Sequence, residues 1–258
     1  MNFLTQLRST FYIKQPYVFV ESVRGLVSGV DREGLLEERS GFDKAVCIDE
    51  IECYKELRFS RNSKELKTEY KRLGVCKENQ LIHSLMNIEY NAIIAYQLLL
   101  FNYKEETDKL PREYFTELLS IIEDENRHFW MLDRLLRQRG FVFGEFMVNT
   151  NILKDLRKCG NLLDHICLIS LTHEGKGIDA GPRLLESLTS NKEMRTVIDE
   201  IVRDEERHVG FGVKWYRHLC SQSDLNPQLT YKEFLDRFGL KVFNPNTEAR
   251  ERINFDFY

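Results

Sequence analysis

DENRH at residues 124–128 and DEERH at residues 204–208 are two copies of one pattern, Asp-Glu-x-Arg-His. Apolar residues recur every three or four positions around each copy, which is the spacing of an amphipathic helix. Residues three apart lie about 60° apart around a helix axis, so the Glu and the His of each copy share one face. The sequence therefore predicts two long helices with Glu-x-x-His faces, Glu125 with His128 and Glu205 with His208.

A lone glutamate precedes each copy within an apolar segment. Glu89 lies in the middle of a helical stripe, and Glu174 ends another. A carboxylate on a buried face is costly unless it is paired or bound to a metal ion. Helical bundles build dimetal carboxylate sites from a Glu on each of two helices and a Glu-x-x-His pair on each of the other two. The predicted metal-binding and catalytic residues are Glu89, Glu125, His128, Glu174, Glu205 and His208.

Four long helices and one long connection are predicted in chain order. The helices span about residues 78–102, 111–139, 161–174 and 190–220. Ser190 and Glu193 form a capping box, S-x-x-E, at the start of the fourth helix. The connection at residues 141–159 is long enough for the third helix to begin at the same end as the second. The predicted fold is all-α, a four-helix bundle with one long crossover and extra N- and C-terminal helical segments.

The third helix contains an ambiguous stretch directly after Glu174. The residues that follow weaken a regular helix, and they are Gly175, Gly177, Gly181 and Pro182. Two alternatives remain open from the sequence. Either the helix ends just after Glu174 and a shorter helix covers about residues 182–188, or a single helix is bulged there.

Three parts of the chain are predicted. Residues 1–76 form a lead segment with one or two short helices packed on the bundle. Residues 77–222 form the dimetal bundle, and residues 223–258 form a C-terminal helical extension. The alternating charges of residues 64–72 predict a solvated helix face rather than a binding patch. The tail at residues 247–258 is expected to pack on the bundle or on a partner.

Composition narrows the class of protein. The net charge of -4 argues against a general nucleic-acid surface, although it allows a local basic patch. The six cysteines include no C-x-x-C pair, which indicates reduced thiols and a cytoplasmic protein. The first residues are too polar for a secretory signal, and no run of about 18 apolar residues could span a membrane. A monomer or a homodimer is expected.

The six predicted ligands indicate which metal ions they would bind. Four carboxylates and two imidazoles suit two iron ions, with manganese or a mixed iron/manganese pair as the alternative. Asp124 and Asp204 are expected to accept the second N–H of the metal-bound histidines, and Arg127 and Arg207 to hold those aspartates. The other histidines lack the pattern and are not expected to be ligands: His83, His165, His173 and His218.

The chain resembles the ferritin-like superfamily of di-iron carboxylate proteins. More narrowly, it is similar to an uncharacterised ferritin-like family, domain of unknown function 455, which is itself similar to tRNA isopentenyladenosine hydroxylases. The segments that carry the resemblance are HSLMNIEYNAIIAYQ at residues 83–97, EDENRHFWMLDRLLRQRG at 123–140, HEGKGID at 173–179 and DEERHVGFGVKW at 204–215. The resemblance implies a ferritin-like bundle with a di-iron site.

The expected function is that of a di-iron oxidase or oxygenase, an oxidoreductase. It would activate O2 as a co-substrate to hydroxylate, desaturate or oxidise a small organic substrate, with an external electron donor as a possible partner. Three alternatives remain open: a tRNA-modifying hydroxylase, a ferroxidase or iron-handling protein without an organic substrate, and a metal-free structural bundle. A membrane is not an expected partner. A nucleic acid is an expected partner only under the tRNA alternative.

Overall fold

The computed structural model describes residues 2–30, 45–188 and 191–257. The chain divides into two compact units, Met1–Arg157 and Lys158–Tyr258. Helices dominate both units, and the described residues form no β-strand beyond an isolated bridge between Phe59 and Val148. The predicted all-α helical bundle is confirmed. The three-part division of the sequence stays a prediction.

The first unit is organised around two long helices. Its helices are α1 (Phe3–Ser9), α2 (Pro16–Ser28), α3 (Ser63–Arg72), α4 (Lys77–Phe101), α5 (Lys104–Thr107), α6 (Arg112–Arg137) and α7 (Asn151–Leu156), with single 3₁₀ turns at Thr10–Tyr12 and Ile48–Glu50. The long helices α4 and α6 confirm the first two predicted helices within two residues at each end. Their short connection makes them antiparallel neighbours, and they pack along most of their length.

Helix α4 is the central helix of the first unit. Every residue from 89 to 101 is buried on all sides of the helix. An α-helix that is apolar all round needs neighbours on every face. Helix α6 covers one face, and the segment before α3 covers another, where the Tyr90 hydroxyl donates to the Cys53 carbonyl at 2.6 Å. Burial of Glu89 follows from this central position.

The lead segment contains more helix than the sequence predicted. One or two short helices were expected, whereas α1, α2 and α3 all form within its described residues. Helix α2 was not located from the sequence, because Tyr17 to Val20 has the pattern of an isolated apolar cluster without a long periodic run. Its buried residues Phe19, Val23 and Val27 in fact recur every four positions, and Pro16 fits the first helical turn. Helix α2 contacts α6, where Tyr17 packs on Phe129, and Phe19 packs on Tyr90 of α4.

The second unit also contains two long helical stretches. Its elements are α8 (Leu162–Ile166), a π-helical segment (Cys167–His173), α9 (Glu174–Ser187), α10 (Lys192–Gln222), α11 (Pro227–Phe238) and α12 (Thr247–Arg252). The first three are continuous and pack against α10. None of the helices in the described ranges combines the length and apolar character that a membrane crossing requires.

The third predicted helix does not end after Glu174, so the alternative with a separate short helix is wrong. The helix is wound as a π-helix before Glu174 and then continues through the glycines and Pro182. Proline cannot donate to the carbonyl four residues earlier, which is that of Ile178. The Asn246 side-chain amide donates to that carbonyl instead, at 3.3 Å. A residue distant in sequence thus satisfies the group that Pro182 leaves without a donor.

The N-cap of the fourth predicted helix differs from the one that the sequence predicted. Ser190, the predicted cap, lies outside the described residues. Helix α10 begins at Lys192, and the Asn191 side chain accepts a hydrogen bond from the Met194 backbone N–H at 3.1 Å. Asparagine is as effective at this position as serine, since its side-chain oxygen satisfies one of the free N–H groups of the first turn.

The C-terminal residues pack closely within the second unit. Arg250 on α12 is buried, and its guanidinium donates two hydrogen bonds to the Asp179 carboxylate on α9, at 2.8 and 2.6 Å. Phe255 and Phe257 are buried beside Tyr231 of α11. A buried, bidentate pair of this kind fixes both partners, because breaking it would leave an uncompensated charge.

Candidate metal centre

The first unit brings three of the predicted ligands together. Glu89 comes from the middle of α4, and Glu125 and His128 come from one face of α6. Each offers a ligand atom within 4.8 Å of the other two, and all three residues are at most 2% exposed. The Nδ1 atom of His128 lies 3.3 Å from Oε2 of Glu89 and 3.8 Å from Oε2 of Glu125.

The electrostatics of this cluster favour a bound cation. Burial raises the pKa of Glu89 well above its ordinary value; contact with His128 opposes the shift, and the Glu125 carboxylate adds to it. Oε2 of Glu89 accepts no well-aligned hydrogen bond from the residues that the structure describes. Buried polar atoms normally have a partner. Two carboxylates and an imidazole are donors that iron and manganese accept, so these residues fit such an ion.

The second unit brings the other three predicted ligands together. Glu174 is the first residue of α9, and Glu205 and His208 share one face of α10. Their ligand atoms also lie within 4.8 Å of one another, with Nδ1 of His208 3.4 Å from Oε2 of Glu205. Each residue is at most 5% exposed. The donor set matches that of the first unit, as the repeated sequence pattern predicts.

Two glycines of α9 explain how α10 comes so close to it. A Cβ atom on Gly177 would stand 3.3 Å from Cγ of Glu205, and one on Gly181 would stand 2.6 Å from Cγ1 of Val202. A side chain at either position would push α10 away, which makes Gly177 and Gly181 packing residues rather than helix breakers. Gly177 in particular leaves room for the carboxylate arm of Glu205.

The predicted aspartate–arginine pairs are seen in part. Arg127 donates to Oδ1 of Asp124 at 2.8 Å, as expected. Both side chains line a cavity of about 600 Å³ in the first unit, beside Arg24 and Trp130. The contact from Asp124 to a metal-bound histidine stays a prediction, as do the roles of Asp204 and Arg207.

His83 has a structural environment of its own in the first unit. Its Nδ1 atom lies 3.2 Å from the Tyr70 hydroxyl, and its Nε2 atom accepts a hydrogen bond from the Gly144 N–H at 3.3 Å. The ring also packs against Phe143 and Phe146. Burial lowers the pKa of His83 to about 4, assisted by the charge of Arg58. The residue therefore joins α4 to the loop after α6 as a neutral imidazole.

Sequence reasoning missed the contact between Thr172, in the π-helical segment before Glu174, and Tyr231 of α11. The two hydroxyl oxygens lie 3.1 Å apart. The two residues are far apart in the chain, so no local pattern could predict this contact. The glycines after Glu174 were the visible signal, and they indicated only that the helix is irregular.

Comparison with known proteins gives a family but no activity. A Haemophilus influenzae protein named "Uncharacterized protein" is 25% identical over 182 residues, which are 67% of this chain and 63% of that protein. The chain thus matches somewhat less than two thirds of the relative's length. No solved structure matches the sequence. Residues 47–257 match the family described as "Protein of unknown function (DUF455)", and the chain belongs to that family.

Proposed function

We propose that this chain is a non-haem di-iron oxidase or oxygenase of the ferritin-like superfamily, acting on a small organic substrate. The observation that carries the proposal is the occurrence of a buried Glu-Glu-His cluster in each of the two units. One such cluster could be an isolated structural feature. Here one repeated sequence pattern produces two clusters with the same donors. This repetition supports a protein that binds two metal ions.

Charge balance supports two divalent ions. Each cluster holds two carboxylates and one imidazole, so one divalent cation per cluster neutralises it. In the absence of metal, the carboxylates must be protonated or remain as costly buried charges, and the raised pKa of Glu89 expresses this cost. Because the clusters match, we propose that each holds one ion, with Glu89, Glu125 and His128 as the ligands in the first unit. Glu174, Glu205 and His208 are the ligands in the second unit.

The chemistry follows from what such a pair supplies. Held by these residues, two iron ions, or manganese in their place, would supply the redox chemistry for reducing O2 and oxidising a substrate, with an external donor returning them to the reduced state. The chain's own residues hold the ions and keep water away. Apolar residues that follow the ligands in sequence are fully buried, among them Ile93, Leu132 and Val209. An environment of low polarity strengthens every charge interaction within it.

The experiment is a comparison of oxygen consumption by matched variants. The apo-protein is loaded anaerobically with ferrous iron, mixed with O2 and a chemical reductant, and screened against small metabolites. The proposal predicts that at least one substrate accelerates oxygen uptake and is recovered oxidised. Glu125→Gln should abolish the acceleration, whereas Glu113→Gln, at an exposed position in the first turn of the same helix, should keep it. Iron-loaded protein that turns over no compound and only oxidises iron would favour ferroxidase chemistry instead.

A second candidate, modification of tRNA, is favoured by a basic groove in the first unit. The groove has a volume of about 490 Å³ and is lined by Arg58, Arg61, Lys64 and Arg72 with only two carboxylates, those of Glu65 and Glu69. A local excess of positive charge in an acidic protein suits a phosphate backbone. Lys64→Glu with Arg72→Glu should then weaken tRNA binding at least tenfold. If the wild type binds tRNA weakly and the variant binds it equally weakly, this candidate function is rejected.

A further inference from the structure

The helix that carries Glu174 changes its winding immediately before that residue. Residues Cys167–His173 form a π-helical segment, and the Glu174 backbone N–H donates to the Ile169 carbonyl, five residues earlier. In a regular α-helix it would donate to Ser170, four residues earlier. π-Helical turns are rare and occur mostly as local bulges, often at functional sites. A segment of this length therefore needs a specific cause.

The change of winding decides which residue faces α10. A π-turn contains one residue more than an α-turn, so every later residue is set back by about 100° around the axis. Glu174 thus takes the angular position that His173 would occupy in an unbroken α-helix. Burial agrees with this geometry, because Glu174 is 4% exposed while His173 is only half-buried.

Two hydroxyl groups hold the π-turn. The Thr172 hydroxyl donates to the Cys167 carbonyl at 2.7 Å, again five residues earlier. The Tyr231 hydroxyl, from α11, lies 3.1 Å from the Thr172 hydroxyl and 3.4 Å from the Leu171 carbonyl. Widening a helical turn displaces carbonyls from their usual N–H partners, and buried carbonyls need replacements. The two side chains add hydrogen bonds to carbonyls of the π-helical segment, those of Cys167 and Leu171.

We propose that Thr172 and Tyr231 are positioning residues that hold the π-turn and thereby present Glu174, rather than His173, to the metal ion of the second unit. The inference rests on the proposed function in that it takes Glu174 as a metal ligand. Through Tyr231, the proposal gives the C-terminal helix α11 an indirect role in metal binding.

The test compares single hydroxyl deletions by metal affinity. Tyr231→Phe and Thr172→Val are titrated with Mn²⁺ in parallel with the wild type, and urea unfolding is measured for each. Tyr216→Phe is the matched control, because the Tyr216 hydroxyl also donates to a backbone carbonyl of the second unit, that of Pro227 at 2.7 Å. This hydrogen bond goes to the first residue of α11 and not to the π-turn. The Tyr216 ring packs on that of Tyr231, with centroids 6.3 Å apart, and phenylalanine keeps this ring contact.

The expected result is a loss of affinity that stability does not explain. Tyr231→Phe and Thr172→Val should bind Mn²⁺ at least tenfold more weakly, and Thr172→Ser should restore wild-type affinity because it keeps the hydroxyl. Tyr216→Phe should lose similar stability yet keep its affinity within twofold. An equal affinity of Tyr231→Phe and Tyr216→Phe would overturn the inference.

A second readout separates the π-turn from general damage. His173→Gln should leave Mn²⁺ affinity unchanged in the wild type. In the Thr172→Val background it should weaken binding further, since relaxation toward an α-helix turns His173 inward; an absence of any further loss would count against the inference. Failure of the proposed oxygen chemistry is distinguishable, because it shows as metal binding without substrate-dependent oxygen consumption and leaves the affinity comparison intact.

Discussion

Gly177→Ala is predicted to weaken metal binding without destabilising the metal-free chain. Gly177 lies inside α9, three residues after Glu174, and faces Glu205. The new Cβ atom would stand 3.3 Å from Cγ and 3.6 Å from Cδ of Glu205. Contacts of this length oblige the side chain to move by a few tenths of an ångström, which displaces the carboxylate that we assign to the metal.

Gly177→Ala should leave the stability of the apo-protein equal or slightly higher, and it should lower the affinity for metal. Alanine in a helix interior is about 0.5–1 kcal/mol more favourable than glycine, so the apo-protein should unfold at the same or a slightly higher urea concentration. Mutation of residues that orient metal ligands typically costs about 10–100-fold in metal affinity, and we expect the shift of Glu205 to act in the same way. The expected loss of metal-binding free energy is therefore about 1.4–2.7 kcal/mol.

Gly175→Ala provides the matched control for this prediction. Its Cβ atom would lie 3.5 Å from both Nη2 of Arg250 and the ring of Phe255, which is ordinary contact. It gains the same helix preference without touching Glu205. Calorimetric titration with Mn²⁺ and urea unfolding of both variants separate the two effects. If Gly177→Ala binds Mn²⁺ as tightly as Gly175→Ala, the assignment of Glu205 as a ligand is refuted.

Three further predictions concern buried groups. Glu89→Gln should stabilise the apo-protein by about 1–3 kcal/mol, because the buried carboxyl must either bind a proton or carry a costly charge and an amide avoids both. The same substitution should reduce the extra stability that Fe²⁺ confers, and unfolding with and without metal shows whether the sign reverses. The pKa of His83, about 4 when folded, lies below its ordinary value, so the chain should lose about 3 kcal/mol of unfolding free energy as the pH falls from 6.5 to 4. His83→Gln should lack this loss in urea titrations, and an identical pH profile would contradict the assigned environment. Gly181→Ala should lower the unfolding free energy by about 1–2 kcal/mol, because its Cβ atom would overlap Val202, and adding Val202→Ala should restore stability.

The grouping of ligands within each unit could be predicted from the sequence. The three-residue spacing places Glu125 and His128 on one helix face whatever surrounds them. The short connection between α4 and α6 makes those helices antiparallel neighbours, so Glu89 and His128 can meet near their middles. Periodicity and loop length are local properties, and they sufficed for these contacts.

The irregular helix around Glu174 could not be predicted in the same way. Helix propensity treats Gly181 and Pro182 as breakers, yet tertiary contacts decide their effect: Val202 fills the space beside Gly181, and Asn246 supplies the hydrogen bond that Pro182 cannot. Likewise, the π-turn depends on Tyr231, far along the chain. A local window contains none of these partners, so the sequence indicated an irregularity without its form.

The most direct test of the central claim is the metal stoichiometry of the chain. Apo-protein is titrated with ferrous iron under anaerobic conditions, and the bound iron is counted after removal of the free ion. Two buried Glu-Glu-His clusters predict tight, saturable uptake of two ions per chain. Titration without saturation, or saturation unchanged when Glu125 and Glu205 are both replaced by glutamine, would contradict the account.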